Sequence, residues 1–460
     1  MSESPPSSGQ EPIASPYGLP HNRLTRRRLL IGAGALGACG VAAGAIATRP
    51  WDALTGPSGS SSALRSGRGT LVLVTLYGGN DGLNTVIPYN DSAYHAARPN
   101  LAYQPNVVLP LADGFGLNPR LPGLKGLWDA KQLAVVRGVG YPNPSLSHFQ
   151  SMDIWQTANP EGSGSGWLGR WLDGTGTDPI RAISLGSTIP TALRGEKTAA
   201  TAITSGTITV PGQPVFTNAY TRLAAASADR SGLAALVANT STDLLSVKGD
   251  LDRLHVAAPV ATAGPSTTVR APGPGAGTVP GETGGSAPAK GGGHRRAGKA
   301  PATSFADQMA LVASLVKAGA PTRVYQVSLS SFDTHADEKA NQERLLGELD
   351  AGVTGFFHSL TGSSQASDVV LMTYSEFGRR VAENASGGTD HGTASPLFVA
   401  GPAVHGGRFY GEQPSLTDLV DGDLKHNVDF RSVYATMLDR VVGVDSKSFL
   451  GASYPTLALV

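Results

Sequence analysis

Four short clusters of polar residues contain side chains that could bind a metal ion or transfer a proton. They are Gly78-Gly79-Asn80-Asp81-Gly82, Phe332-Asp333-Thr334-His335-Ala336-Asp337, Tyr374-Ser375-Glu376-Phe377-Gly378-Arg379-Arg380 and Gly387-Gly388-Thr389-Asp390-His391-Gly392. Carboxylate oxygens and imidazole nitrogens are donors that proteins offer to divalent cations. The sequence therefore predicts a divalent metal, Zn, Ca, Mg or Mn, bound by some of six residues, namely Asp81, Asp333, His335, Glu376, Asp390 and His391.

Each cluster also has an alternative interpretation. Glu376 could accept a proton rather than coordinate, and Arg379 or Arg380 could either clamp an anionic ester substrate or lie at the surface. Asp81 could satisfy the backbone of a glycine turn. The second cluster could cap a helix, through Asp333 or Thr334, and the fourth could be a solvated loop.

The elements that must position these clusters are visible as apolar runs and helical stripes. Strands are predicted at 71–76, 133–136, 324–329, 369–374 and 396–400, and helices around 305–316 and 345–360. Alternating helices and strands predict an α/β fold with a mostly parallel sheet and helices on both faces. Because ligands bind at the carboxyl ends of such strands, we expect the four clusters to meet at one edge of the sheet.

Together these motifs, with Ser147-His148-Phe149, resemble the exported bacterial proteins grouped as domain of unknown function 1501. That family is similar to a distant branch of the alkaline phosphatase and sulfatase superfamily. The resemblance implies an alkaline-phosphatase-like domain at 69–460. It also implies a metal-dependent hydrolase of phosphate or sulfate esters; the alternative is a non-catalytic cell-envelope protein with a degenerate site.

The resemblance also assigns roles to individual residues. Asp81 resembles the metal aspartate after the first strand, Asp333 and His335 resemble later ligands, and His391 resembles the last metal histidine, which precedes a Pro-Leu strand. Phe377 departs from the pattern, because the superfamily has an Asp-His pair where this chain has Glu376-Phe377.

Superfamily enzymes attack with a hydroxyl or modified cysteine at a helix N-terminus, and Ser145 and Ser147 are the candidates for this role. Ser147 with Gln150 also fits a capping box, which would give the serine a structural role instead. A cysteine-derived sulfatase nucleophile is excluded, because the only cysteine is Cys39.

The N-terminal 47 residues have the features of a twin-arginine signal peptide. Arg26 and Arg27 precede an apolar stretch that ends in Ala45-Ile46-Ala47, and residues 48–68 read as a linker. The expected partner is the twin-arginine translocase, and the expected location is extracellular or in the cell envelope. Cys39 leaves three alternatives open: cleavage after Ala47, lipidation at Cys39, or an uncleaved anchor, of which only the last two give membrane attachment.

The charge composition argues against a nucleic-acid-binding function. The whole chain has 36 Lys and Arg against 35 Asp and Glu, and removal of four arginines and two glutamates with the signal leaves a nearly neutral protein. A neutral protein lacks the basic face of a nucleic-acid binder.

Residues 257–303 are dominated by Ala, Gly, Pro, Ser and Thr, and this composition predicts a disordered insert within the domain.

Overall fold

The computed structural model describes residues 69–208, 219, 221–222, 233–254 and 303–460. The predicted signal, the linker and almost all of the insert lie outside the described residues and remain predictions. Of the described residues, 69–208 and those from 247 onward belong to one compact unit, and those between 209 and 246 belong to another. The sheet and the candidate site both belong to the first of these units.

The strands and helices of the described residues alternate along much of the chain. The strands are β1 (Thr70–Tyr77), β2 (Val86–Ile87), β3 (Leu109–Pro110), β4 (Gly116–Leu117), β5 (Leu133–Gly140), β6 (Ala182–Leu185), β7 (Thr201–Ile203), β8 (Val324–Ser330), β9 (Val369–Tyr374), β10 (Ser395–Ala400), β11 (Arg408–Tyr410) and β12 (Val428–Asp429). The α-helices are α1 (Ser92–Ala97), α2 (Pro122–Asp129), α3 (His148–Thr157), α4 (Trp167–Thr175), α5 (Leu233–Leu254), α6 (Phe305–Lys317), α7 (Glu338–Leu360), α8 (Phe430–Thr436) and α9 (Ser446–Leu450).

A large mixed sheet forms the centre of the fold, with the strand order β11-β5-β10-β9-β1-β8-β6-β7, and β12 also pairs with β5. The central strand β1 runs parallel to both β8 and β9, whereas β10 runs antiparallel to β9 and β5. The expected α/β class with a mostly parallel sheet is therefore confirmed. A small antiparallel sheet, β2-β4-β3, accompanies it.

The apolar run of β1 is buried on both faces. Val72 and Val74 pack in the main core with residues of α6 and α7, while Leu71 and Leu73, which alternate with them, are also inaccessible to solvent. Burial of each such side chain contributes roughly 1.5–3 kcal/mol to stability. A strand buried on both faces reads as a continuous apolar run, which is why the sequence identified β1, β8 and β9 correctly.

The register of these three strands aligns their carboxyl ends. Thr75 of β1 lies opposite Ser328 of β8 and Tyr374 of β9, so the chain leaves all three strands at one edge of the sheet. Because β10 runs antiparallel to β9, the loop that precedes it starts at this edge as well. The four polar clusters thus come from neighbouring positions in the fold.

Helix α7 differs from the capped helix that the second cluster allowed. It begins at Glu338, its N-cap residue Asp337 has a left-handed backbone conformation, and neither Asp333 nor Thr334 caps it. The polar residues of the second cluster are therefore left for another role. No α-helix in the described ranges is long and apolar enough to cross a membrane.

Candidate metal centre

Three histidines and one aspartate converge at this edge of the sheet. Asp333 Oδ1 lies 3.1 Å from His335 Nε2, 3.3 Å from His391 Nε2 and 3.5 Å from His148 Nε2. The Nε2 atoms of His335 and His391 are 2.9 Å apart. One ligand atom from each of His148, Asp333 and His391 lies within 4.8 Å of the others. We call these four residues the His–Asp cluster.

The other ring nitrogen of each histidine has its own acceptor. His148 Nδ1 lies 2.8 Å from Glu376 Oε1, and His335 Nδ1 lies 3.2 Å from Asp390 Oδ1. His391 Nδ1 lies 2.8 Å from the backbone oxygen of Leu146. A carbonyl oxygen only accepts, so His391 carries a proton on Nδ1, and the two carboxylates favour the same tautomer in His148 and His335. This tautomer leaves the Nε2 lone pairs directed into the cluster.

Such an arrangement needs a positive charge at its centre. In neutral histidines protonated on Nδ1, two Nε2 lone pairs at 2.9 Å repel each other, and both also face a carboxylate oxygen. His148 Nε2 is buried without a hydrogen-bond partner. A metal ion or an extra proton would remove the repulsion. Burial lowers the pKa of His391, which disfavours the proton, so the donor set fits a metal ion.

Asp333 stays ionised in the cluster. Partial burial opposes its charge, but the hydrogen bond and the positive charge of Arg379 outweigh burial, and the pKa of Asp333 is lowered to about 2. Its side chain is 47% exposed, as expected for a ligand on the open side of a site.

Arg379 organises the loops rather than facing solvent. Its guanidinium is completely buried and donates to the backbone oxygens of Gly78, Gly79, Phe332 and Thr389 and, at 2.8 Å, to Asp333 Oδ1. One side chain thus ties together the loops after β1 and β8 and the loop before β10. The buried guanidinium makes five hydrogen bonds to protein oxygens, and the clamp on an anionic substrate stays a prediction.

Two glycines and a phenylalanine allow the loops to approach this closely. Gly78 has a φ of +115°, and a Cβ there would lie 2.5 Å from the backbone nitrogen of Asp333. A Cβ on Gly79 would lie 2.4 Å from the ring of Phe377. Phe377 is buried and packs against His148 and His391, with ring centroids 4.9 and 4.7 Å apart. The residue that departs from the superfamily pattern therefore supports two of the imidazoles.

Residues 126–453 match a family described as protein of unknown function (DUF1501). This match covers most of the chain. The chain belongs to the DUF1501 family. Membership confirms the resemblance that the polar motifs indicated, and Phe332-Asp333-Thr334-His335 and the loop before β10 both lie inside the matched region. No curated protein matches the chain.

Several solved structures share a distant similarity with this family member. The lipoteichoic acid synthase LtaP from Listeria monocytogenes has 10% identity and a TM-score of 0.34, over 86% of this chain and 79% of LtaP. A Vibrio parahaemolyticus protein of the alkaline phosphatase superfamily has 11% identity and a TM-score of 0.36, over 93% and 77%. Ps i-CgsB, in complex with k-i-k-neocarrahexaose, has 10% identity and a TM-score of 0.37, over 84% and 73%.

The six predicted ligands separate into three groups in this DUF1501 member. Asp333, His335 and His391 lie in the cluster. Glu376 and Asp390 lie outside the cluster, where their carboxylates contact the Nδ1 atoms of His148 and His335. Asp81 lies elsewhere: it is fully buried, pairs with Arg98 at 2.5 Å and accepts from the backbone of Leu83.

The two candidate serines lie beside the cluster, on the chain that enters α3. The expected capping box is not formed, because Ser147 makes no side-chain cap bond and Gln150 instead accepts from Ser145 Oγ at 3.1 Å. Ser147 is exposed next to His148. Ser145 Oγ also accepts from the backbone nitrogen of Ser147 at 3.2 Å, so it stabilises the turn.

Sequence reasoning missed His148 as a candidate ligand. In the sequence His148 stands in Ser147-His148-Phe149, a motif that contains no carboxylate. Its position depends on β5 running alongside β10 and ending at the same edge, which the short predicted strand at 133–136 did not reveal. A histidine at the first residue of a helix after a buried strand is the signal that could have indicated it.

Proposed function

We propose that this protein is a metal-dependent hydrolase of phosphate or sulfate esters, with its metal held by His148, Asp333, His335 and His391. The observation that carries the proposal is the convergence of three Nε2 atoms on one carboxylate while each Nδ1 is held by an acceptor. Metal-binding histidines in proteins have this second hydrogen bond, which fixes the tautomer and the ring orientation.

The donor set favours zinc among the four predicted metals. Three imidazoles and one carboxylate are ligands typical of Zn²⁺, whereas Ca²⁺ and Mg²⁺ prefer sites made entirely of oxygen. When bound, such an ion would supply Lewis-acid chemistry and a lowered pKa for a coordinated hydroxyl or water.

The chain's own residues fit three supporting tasks. Glu376 is buried and orients His148, and Arg379 holds the Asp333 carboxylate in place. Ser147 presents a solvent-accessible hydroxyl beside the ligand His148, at the N-terminus of α3, where the helix dipole favours negative charge. Ser147 is therefore the candidate nucleophile, and Ser145 orders its turn.

Metal content and hydrolysis measured together test the proposal. The wild-type chain and the His391→Ala variant would be analysed by mass spectrometry for bound metal and assayed with p-nitrophenyl phosphate and p-nitrophenyl sulfate. His358→Ala is the matched control, because His358 is exposed at the end of α7. We expect metal and hydrolysis to fall together only in His391→Ala. Equal metal in all three proteins would refute the shared centre.

A non-catalytic envelope protein is the second candidate function. It is favoured by the absence of Asp81 from the cluster and by the burial of Arg379, whose guanidinium bonds to protein oxygens. Ser147→Ala separates the alternatives, since Ser147 makes no cap bond. A catalytic serine predicts loss of hydrolysis with unchanged metal, whereas a metal-bound protein that hydrolyses neither ester before mutation supports the non-catalytic alternative.

We also propose export through the twin-arginine translocase, on the evidence of Arg26, Arg27 and the apolar stretch that follows them. Replacement of both arginines by lysine should retain the precursor in the cytoplasm. Normal secretion of this variant would contradict the assignment.

A further inference from the structure

Two large apolar side chains are exposed on either side of the ligand His148. Among the described residues, four large hydrophobic side chains are exposed: Val107, Leu146, Phe149 and Val420. Phe149 is 86% exposed and Leu146 is 38% exposed. A single exposed apolar residue needs no explanation, but these two stand next to a candidate metal ligand in the sequence and in the fold.

The His–Asp cluster itself fixes the position of both residues. The backbone oxygen of Leu146 accepts a hydrogen bond from His391 Nδ1 at 2.8 Å, so Leu146 directly contacts a member of the cluster. Phe149 follows His148 in the first turn of α3, and His148 Nδ1 is held by the buried Glu376 at 2.8 Å. Leu146 and Phe149 therefore lie on the same backbone segment as His148, which contacts the cluster through His148 and through the carbonyl group of Leu146.

The segment that carries Leu146 and Phe149 brings no lysine or arginine to the site. The chain contains no lysine or arginine between Arg137 and Arg170, and the only charged residues in that interval are Asp153 and Glu161. Arg379, the arginine that reaches the cluster, is completely buried. A nucleic acid or another polyanion would need a basic surface here, whereas an uncharged apolar group would not.

We propose that Leu146 and Phe149 form an apolar rim that binds the alkyl or aryl group of the substrate. This inference rests on the proposed function, and it names the substrate class as monoesters of hydrophobic alcohols or phenols. The anionic group would lie at the His–Asp cluster and the hydrocarbon would lie across the rim. Contact with the rim removes apolar surface from water on both partners, which supplies affinity without charge.

Phosphonates of different chain length test the rim without requiring turnover. Methylphosphonate and octylphosphonate share one anionic group and differ only in hydrocarbon, so their affinity ratio reports apolar contact. Titration calorimetry on the zinc-loaded wild type should show octylphosphonate binding about tenfold or more tightly, equivalent to about 1.4 kcal/mol. The Leu146→Ala/Phe149→Ala variant should bind both probes with nearly equal affinity and should keep its zinc.

Val107→Ala/Val420→Ala is the matched control, because it also removes two exposed apolar side chains. It should keep the wild-type preference for octylphosphonate. Two results would contradict binding of hydrocarbon at the rim. One is equal affinity of the zinc-loaded wild type for the two probes, and the other is loss of the preference in the control. The rim would also be contradicted by binding of the protein to phosphatidylcholine vesicles that depends on Leu146 and Phe149 without a preference among soluble probes, since that result indicates a membrane surface.

A separate zinc titration distinguishes failure of the rim from failure of the proposed function. Zinc bound without chain-length preference refutes only the rim. Absence of zinc binding refutes the metal centre and the inference that depends on it. Because Phe149 is almost fully exposed, the double variant should unfold at the wild-type temperature, which excludes misfolding as the cause of a lost preference.

Discussion

Asp81 and Asp333 follow adjacent parallel strands, yet the fold places them in opposite environments. Asp81, after β1, is completely buried and pairs with Arg98, which is also completely buried, at 2.5 Å. Asp333, after β8, is 47% exposed and has three imidazoles and Arg379 around one carboxylate oxygen. Of these two strand-end carboxylates, only Asp333, whose neighbours leave it an open side, is a candidate metal ligand.

The buried region is a self-contained polar network. Arg98 also donates to the backbone oxygens of Arg380 and Val381, and Glu338 accepts from Thr389 Oγ1 at 2.5 Å. Burial opposes the charge of Asp81, but the guanidinium of Arg98 outweighs it and lowers the pKa of Asp81. Burial and the neighbouring Asp81 raise the pKa of Glu338 to about 9. The network therefore holds the Asp81 carboxylate, the protonated Glu338 and the Arg98 guanidinium. The negative charge of Asp81 is compensated by Arg98.

The largest expected difference between the two regions concerns stability. Arg98→Ala leaves the Asp81 charge buried without its partner, which should cost about 3–5 kcal/mol in the free energy of unfolding. His335→Ala removes a half-exposed side chain and should cost less than about 1 kcal/mol once metal is absent. Urea unfolding of both variants in the presence of a chelator measures the contrast. Similar losses for the two would show that the regions do not differ as described.

The second prediction concerns the pH dependence of the buried network. Because the pKa of Glu338 is raised to about 9, the folded protein retains a proton that the unfolded chain loses near its ordinary value of 4.5. The resulting stabilisation is fully present below pH 4.5 and is lost as the pH rises to about 9, with a slope of at most about 1.4 kcal/mol per pH unit for one proton.

Glu338→Gln removes this titration and should flatten the profile. Unfolding free energies of chelator-treated wild type and variant between pH 6 and 8.5 provide the measurement. An equally steep slope in Glu338→Gln would mean that another group carries the dependence.

The third prediction concerns the support of the exposed cluster. Glu376→Ala removes the acceptor of His148 Nδ1 and should weaken zinc binding about 10- to 100-fold, a range measured for such supporting residues in other metal sites. Glu376→Gln keeps an acceptor oxygen, so its zinc affinity should lie between those of Glu376→Ala and the wild type. Zinc titration against a competing chelator gives the affinities.

Glu343→Ala is the control for this experiment, since Glu343 lies on α7 and pairs with Arg120. Its zinc affinity should equal that of the wild type. If Glu376→Ala also binds zinc as tightly as the wild type, then the contact between Glu376 and His148 does not orient a metal ligand.

The sequence predicted the strands that surround the site better than it predicted which residues form the site. Apolar runs identified β1, β8 and β9 because these strands are buried on both faces, and the edge at which their loops meet followed from parallel pairing. The role of each polar residue in the site did not follow from the sequence. The sequence offers no means to see that Arg98, at the end of α1, neutralises Asp81, or that Glu376 faces a ring nitrogen. The first contact joins residues 17 positions apart and the second joins residues 228 positions apart, and both depend on how the buried loops pack.

X-ray absorption at the zinc edge tests whether the His–Asp cluster binds the ion, because it reports the atoms around the metal. For the zinc-loaded protein we expect about three imidazole nitrogens at roughly 2.0–2.1 Å and a carboxylate oxygen at roughly 2.0–2.2 Å. The imidazole signal should lose one contribution in His148→Ala and none in His358→Ala. A shell of oxygen atoms without imidazole scattering, or a spectrum unchanged in His148→Ala, would contradict a metal centre built from His148, Asp333, His335 and His391.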